Sequence, residues 1–567
     1  MTDKPNWNPT EIDRRHFLKA TGLAGAGGMA GLAGCTGGDG GDGDGGDGGD
    51  GGDGGDGGGS TPTATEEPTP TAAPDEIQEG GTLIWGHSEV TQNLDIHQTG
   101  TASTGRFLDS VYESMVGLTS DLELSTETDI ANPGLATDWE VSEDLLTYTF
   151  TLREGVTFHD GSEMTAEDVV YSYERVADPE TSAIMNFVFG STESVEAEDT
   201  YTVVVNQSER YQPLLRQLAF SGTSIVPADS GPQLGDQPIG TGPFAFVSRQ
   251  QGNRAELEAY DDYWGEGPYL DGVEERTVTD PDSRLTGIQE GEFDLINDIP
   301  LDDISSVVGN SDDDIKTETW TPLSWAFLNM NNTQAPFDDP AFRKAMDFAI
   351  DKTALVEGAL FGNGRPTASP SFPNSPFRNT DLSPRPQDFD EVERLFGESQ
   401  YDPGEFDLTF KVTTNYPWHV DAATILQQYF QQAGLSVEVQ RLQWSDWLSQ
   451  VWINQDFTLS MVNFFTFWEP AYMYTSLWST DGSFNFRGYS SEEYDSTVAE
   501  AAAVGSREEA VSLYQEAQAI LHEDVPDVML WFRDGTLAAK NHVNGLGTVL
   551  SPNNSELNFG RVWMDQD

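Results

Sequence analysis

The sequence predicts an α/β chain with mixed sheets, and three observations carry that expectation. Segments of strand period and segments of helix period interleave along the chain. Helix stops are followed at once by strands, which favours layered sheets and helices over a bundle or a sandwich. About 490 residues remain beyond the N-terminal region, enough for at least two substantial domains. In order, Leu146, Tyr148, Phe150 and Leu152 alternate with polar neighbours, as a half-buried strand requires. Thr165-Ala-Glu-Asp168 has the spacing of a capping box and opens a helix through Val169, Val170, Tyr173 and Val176. Tyr201, Val203 and Val205 form a further strand. Asp339-Pro340 places a capping acid and an N1 proline before Phe342, Ala345, Met346, Ala349 and Ile350, one face of an amphipathic helix. Ile425, Leu426, Tyr429 and Phe430 lead to a stop at Gly434, and Leu435, Val437 and Val439 continue as a strand.

The N-terminal region has another composition. Arg14-Arg15-His16-Phe17-Leu18-Lys19 precedes an apolar stretch from about Ala20 to Ala33 that is too short and glycine-rich to span a bilayer. The arginine pair resembles a twin-arginine export signal. Leu32-Ala33-Gly34-Cys35 resembles a lipobox, in which Cys35, the single cysteine, is lipidated after cleavage. Residues 1–35 are therefore read as a signal peptide. Residues 36–59 are Gly and Asp with one Thr, and the following stretch is rich in Ser, Thr, Pro, Ala and Glu. Neither can bury a core, so 36–76 is read as a disordered linker. The Gly-Asp repeat lacks the apolar residue that each turn of a calcium-binding solenoid needs. A coil of this length reaches roughly 35 Å.

The chain carries 28 Lys and Arg against 96 Asp and Glu, a net charge of −68. That sign excludes a nucleic-acid partner. Self-repulsion of this size opposes compaction in dilute buffer, whereas at molar salt the Debye length is about 3 Å and the repulsion is screened. The composition reads as that of an extremely halophilic exported protein. No disulfide is available once Cys35 is spent. The core must come from packing, for which there are 30 Phe, 17 Tyr and 14 Trp. After residue 35 no apolar run of 18 residues occurs, so no transmembrane helix is expected.

Specific strings narrow the reading. Pro133-Gly-Leu-Ala-Thr-Asp-Trp-Glu-Val141, Leu146-Thr-Tyr-Thr-Phe-Thr-Leu-Arg-Glu-Gly-Val-Thr-Phe-His-Asp-Gly161 and Met164-Thr-Ala-Glu-Asp-Val-Val-Tyr-Ser-Tyr-Glu-Arg175 come in close succession. Gly240-Thr-Gly-Pro-Phe244, Asp262-Tyr-Trp-Gly265, Pro268-Tyr-Leu-Asp-Gly-Val273, Gly291-Glu-Phe-Asp294, Asn329, Pro336-Phe-Asp-Asp339, Arg343-Lys-Ala345, Ala349-Ile-Asp351, Asn485-Phe-Arg-Gly-Tyr-Ser490 and Tyr494-Asp495 follow. Together these strings, over residues 80–545, closely resemble the family 5 extracellular solute-binding proteins, the oligopeptide/dipeptide-binding group of ABC importers, here of haloarchaeal lipoprotein type. The resemblance implies a two-lobed α/β fold of the periplasmic-binding-protein kind (type II, the large family 5 form) with mixed sheets and a double-crossover hinge. Lobe I would hold 77–322 plus 534–567 and lobe II 323–533. It further implies a monomer tethered to the outer face of the cytoplasmic membrane by a lipid at Cys35, giving up a small-molecule ligand to ABC permease and ATPase subunits.

An enzyme is not expected, nor any cofactor or metal. No Gly-x-Ser-x-Gly elbow, His-Glu-x-x-His helix or phosphate loop occurs, and the seven histidines are scattered. His159-Asp160 reads as a turn after a strand. The alternative is an exported glycoside hydrolase using paired carboxylates, which need no linear motif.

The ligand rests on one neighbourhood. In peptide-binding members of the family an aspartate three residues before an Asp/Glu-Pro pair anchors the peptide's amino group. Here Phe464-Phe465-Thr466-Phe467-Trp468-Glu469-Pro470 puts Thr466 at that position. A hydroxyl accepts a hydrogen bond but supplies no countercharge, and Glu469 is the nearby acid. Phe465, Phe467, Trp468 and Tyr472, with Phe464, Tyr474 and Trp478, offer flat faces that suit sugar rings as well. His87, Ser88 and Glu89 are expected on a cleft loop after the first strand, and Asn485 and Arg487 within reach of a ligand. Trp444 and Trp447 read as structural. Two ligand classes stay open, a short peptide held through its backbone and an oligosaccharide held by stacking. Asn206, Asn331 and Asn553 head glycosylation sequons, with Asn331 in a strand that would shield it.

Overall fold

The computed structural model describes residues 77–88, 93–99, 102–119, 122–127, 133–308, 314–320, 324–465, 468–546 and 559–566. Three sheets organise it. The first has seven strands in the order Ile315–Trp320, Gly535–Lys540, Leu295–Asn297, Thr82–His87, Gly272–Thr277, Arg254–Ala259 and Phe244–Gln250. Thr82–His87 runs parallel to both of its neighbours, and the outer pairs are antiparallel. Alternation sends Leu83 and Trp85 into one apolar layer and Ile296 into the layer on the opposite face.

The second sheet has six strands in the order Gly364–Pro366, Asp527–Arg533, Ser324–Met330, Leu459–Phe465, Asp407–Thr413 and Ser436–Leu442. Asp407–Thr413 is parallel to both neighbours, and the remaining pairs are antiparallel. Both large sheets are thus mixed. The third is a four-stranded antiparallel sheet, ordered Ala136–Val141, Thr147–Leu152, Thr202–Gln207, Thr192–Asp199.

The local rules explain these elements. In Thr147–Leu152, Tyr148, Phe150 and Leu152 are buried against the helix Ala166–Ala177, whose Val169, Tyr173 and Val176 face them. That helix starts on the expected capping box between Thr165 and Asp168. The helix Pro340–Phe348 begins where Asp339 accepts from the Ala341 N–H at 2.9 Å. The helix Pro417–Gln432 gives way at Gly434, with φ of 88°, to the strand Ser436–Leu442.

The chain passes between the two large sheets twice. It leaves the seven-stranded sheet at Trp320 and enters the six-stranded one at Ser324, then returns between Arg533 and Gly535. Both passages lie at the edge where parallel strands end: Ser324 pairs with Phe465, Arg533 is beside Gly364, and Leu537 pairs with Asn297. In open α/β sheets, ligands bind outside those carboxyl ends, where the chain changes direction.

The largest apolar cluster does not stop at a sheet boundary. Met185, Phe189 and Phe220, from the region of the four-stranded sheet, share it with Trp325, Trp468 and Trp478 from the six-stranded sheet and its connections. No described helix is long and apolar enough to cross a membrane.

Candidate functional site

At the carboxyl edge of the seven-stranded sheet, Ser88 follows one strand, and Asn297 ends and Asp298 follows the adjacent parallel one. Ser88 Oγ donates to Asp298 Oδ2 at 2.7 Å, and Asn297 Nδ2 donates to Ser88 Oγ at 2.9 Å and to Asp298 Oδ2 at 2.6 Å. Asp298 has φ of 53°, a left-handed conformation that Asp tolerates better than most residues. Arg284, fully buried, fixes this turn by donating to the carbonyls of Val278, Asn297 and Asp298 at 2.7–3.1 Å. The Asp298 carboxylate then meets Arg106 Nη1 at 4.0 Å and, from across the second passage, Arg533 Nη2 at 3.7 Å. Burial would push its pKa up, but Arg106, Arg533 and the Ser88 hydroxyl together outweigh that and hold it down at about 2. Arg533 in turn lies 4.7 Å over the Trp418 ring. Beside it His419 hydrogen-bonds Asn463 at 2.7 Å, and burial pushes its pKa down to about 4. A polar seam of both charge signs therefore bridges the two large sheets where the chain crosses.

A second contact joins the four-stranded region to the turn after Leu459–Phe465. Arg216, on the short helix Leu214–Gln217, places Nε 3.7 Å from Glu469 Oε2 and its guanidinium 5.0 Å over the Trp468 ring. It also donates to the Leu122 carbonyl at 2.6 Å. Glu469 is buried and accepts from the Ala471 N–H at 3.4 Å. Burial outweighs Arg216 and raises its pKa to about 7, and burial likewise brings the Arg216 guanidinium down to about 10. Phe220 packs edge-on against Trp468 at 4.9 Å, and Phe187 stacks on Tyr472 at 3.5 Å. The Gln212 N–H donates to the Ala502 carbonyl at 3.0 Å.

The sequence-predicted site residues fare differently. Trp468 and Tyr472 stand in the contact just described. Cys35, Glu89, Thr466 and Phe467 lie outside the described residues; Phe465 closes its strand, with only its backbone described. His87 is a correction. It is the last residue of Thr82–His87 and not part of a loop; it is fully buried, stacked on Trp85 and paired with Glu275 at 3.0 Å, because the adjacent parallel strand offers it a carboxylate. Asn485 and Arg487 are corrections too, since neither faces an opening. The Asn485 side chain accepts from the Tyr489 N–H at 3.1 Å and donates to its carbonyl at 2.7 Å, shaping a turn. Arg487 is fully buried, 3.0 Å from Asp527, among Phe327, Trp478 and Phe486.

The aromatic run also turns inward. Phe464 lies among Trp325, Trp452 and Phe484, Tyr474 against Trp478, and Trp478 Nε1 donates to Asp527 at 2.9 Å. Trp444 stacks on Trp447, whose Nε1 donates to Ser460 at 2.9 Å, a structural role as expected. His159 is a turn residue bonded to the Gly240 N–H and the Gly242 carbonyl. Asn331 is buried, its amide spent on the Gln455 and Phe457 carbonyls. Among the described residues no group of three or more His, Cys, Asp or Glu could hold a metal ion.

Sequence reasoning missed Arg216, Asp298, Trp418 and Arg533. One signal was available: with 28 cations against 96 acids, each arginine in an apolar setting is conspicuous.

Comparison with known proteins completes the picture. The profile of the bacterial extracellular solute-binding proteins, family 5 (middle region), matches residues 131–486. The chain is 28% identical over 452 residues to the glutathione-binding protein GsiB of Pectobacterium atrosepticum, covering 77% of this chain and 86% of that protein. Its fold is similar to that of the periplasmic binding protein DppA from Helicobacter pylori, solved with the peptide STSA, with a TM-score of 0.74 and 23% identity over 87% of this chain and 99% of that one. It is also similar to the substrate-binding protein CtaP of Listeria monocytogenes, with a TM-score of 0.78 and 21% identity over 86% and 100% of the two chains.

Proposed function

The chain belongs to family 5 of the bacterial extracellular solute-binding proteins, and we propose that it is the receptor of an ABC importer for a small peptide-like solute. The observation that carries this reading is the pair of chain passages at the carboxyl edge of both large sheets, with Arg216 meeting Glu469 between the four-stranded region and the turn after Leu459–Phe465. Residues 77–322 with 534–567 form one lobe and 323–533 the other. A solute between them touches both only when they close, so it shifts the balance by its differential affinity for the closed form. The permease then reads closure, and ATP hydrolysis belongs to separate subunits.

The peptide-like class is favoured over an oligosaccharide on two grounds. The rings suited to stacking a sugar are spent on one another, and a similar curated protein is named for binding glutathione. We assign ligand contact to Trp468, Glu469, Tyr472, Ser88 and Asp298, and, by their place in the sequence alone, to Glu89, Phe465, Thr466 and Phe467. Nothing in this reading calls for catalysis. The protein works outside the cell as a monomer, exported folded on its twin-arginine signal and held by a lipid at Cys35 through the acidic linker, in a high-salt medium.

The test is a thermal-shift and small-angle scattering screen of short peptides in molar KCl. A binding peptide raises the melting temperature and contracts the particle. If no peptide changes either quantity, the reading is wrong.

A further inference from the structure

Arg533 is the last residue of its strand and stands at the second passage between the large sheets. Its side chain is 18% exposed, yet its guanidinium donates no hydrogen bond to any described residue. Asp298 Oδ1 at 3.7 Å is beyond hydrogen-bond range, so the ion pair leaves the fork of N–H groups unspent. Directly beneath, Trp418 keeps its indole Nε1 buried and without a partner. The indole N–H groups of Trp85, Trp325, Trp468 and Trp531 are in the same state, and Trp418 differs from them in lying beneath an arginine whose own N–H groups are unspent. Other arginines nearby are fully used: Arg284 spends its fork on three carbonyls.

The local charge is unusual as well. Arg106 and Arg533 flank the single carboxylate of Asp298, and His419 beside them is held neutral by burial. The spot therefore carries net positive charge in a chain of net charge −68. A planar fork with an adjacent N–H donor matches a carboxylate, which accepts two parallel hydrogen bonds.

We propose that Arg533, with the Trp418 indole N–H, forms a subsite for a carboxylate of the bound solute at the crossing between the lobes. The assignment rests on the solute-receptor reading above and adds to it the charge of one end of the ligand. A carboxylate here draws Arg533 off Asp298 only by the rotation of one side chain. It links the solute to the six-stranded sheet through Arg533 and, through Asp298 and Ser88, to the seven-stranded one. The subsite selects an acid terminus and is indifferent to the rest of the solute.

The experiment is titration calorimetry in molar KCl with four probes: glutathione, its diethyl ester, tetraalanine and tetraalanine amide. The free carboxylates are expected to bind at least tenfold more tightly than their blocked counterparts. In Arg533→Gln that ratio falls to about one. Arg533→Lys keeps the charge over Trp418 without the fork and is expected to lower the ratio at least threefold, with a native melting curve as the check on folding. A ratio of one in the native protein, or a ratio that survives both substitutions, overturns the subsite alone. Failure of all four probes to bind overturns the peptide-receptor reading itself.

Discussion

Replacing Arg216 by Met tests the contact that closes the four-stranded region onto Glu469. In the native protein Glu469 is 1% exposed and its pKa is raised from 4.5 to about 7 by burial, with Arg216 opposing. At about 1.4 kcal/mol per unit, ionised Glu469 costs the folded state about 3 kcal/mol even with its partner present. The sign follows from the raised value. The contribution of this group to stability is complete below pH 4.5 and is lost as pH rises through about 7. Without Arg216 the carboxyl loses its attraction and titrates higher still. At pH 8 Arg216→Met then costs up to about 1.4 kcal/mol more than at pH 5, because the stranded carboxyl takes up a proton once its pKa passes 8. At pH 5 Glu469 is protonated in both proteins, and the loss shrinks to the cation–π contact and the bond to the Leu122 carbonyl, about 1 kcal/mol each. Urea unfolding at the two pH values in molar KCl measures the difference, with Glu469→Gln as the variant that lacks the titration. Equal losses at pH 5 and pH 8, or a Glu469→Gln protein whose pH dependence matches the native one, would refute the reasoning.

Two further outcomes probe the scaffold. Arg487→Met strands Asp527, whose pKa burial already raises to about 6 against Arg487 and Trp478; a loss of about 3–5 kcal/mol at neutral pH is expected in denaturant melts, with the carboxylate preference of the site unchanged. Two glycines should respond in opposite directions. A Cβ on Gly240 would fall 2.1 Å from the Val111 carbonyl oxygen, so Gly240→Ala costs about 1–3 kcal/mol or more. Gly397, inside the helix Phe389–Glu398, has open space around it, and Gly397→Ala stabilises by about 0.5–1 kcal/mol in the same melts.

What the sequence disclosed, it disclosed through local rules. Thr165 and Asp168 interact three residues apart, Asp339 caps the helix beside it, and the strand Thr147–Leu152 shows its buried face by alternation. Such signals survive because the partners are neighbours in the chain. The site is built otherwise. Arg216 meets Glu469 across more than two hundred residues, and Arg533 meets Trp418 across more than a hundred, so no window of sequence contains either pair. His87 illustrates the cost of reasoning locally. A histidine after Gly86 reads as the start of a loop, but Glu275 on the neighbouring strand gives it a partner and makes burial affordable. Phe464 and Trp478 mislead for a related reason. Such rings suit a binding face or a core equally well, and only the rings packed against them, Trp325 and Trp452 above all, decide for the core.

The order of strands in the seven-stranded sheet has a consequence for how the protein is made. Gly535–Lys540 sits between Ile315–Trp320 and Leu295–Asn297, so a gap stays open in that sheet until that strand has left the ribosome, more than two hundred residues after its two neighbours. The six-stranded sheet needs nothing beyond Arg533 and can be complete while its companion still exposes two unpaired strand edges. A nascent chain in that state offers those edges to any other extended segment nearby. The strand Gly535–Lys540 is thus a closing stave, and a chain cut short before Gly535 should aggregate even though every strand of the other sheet is present.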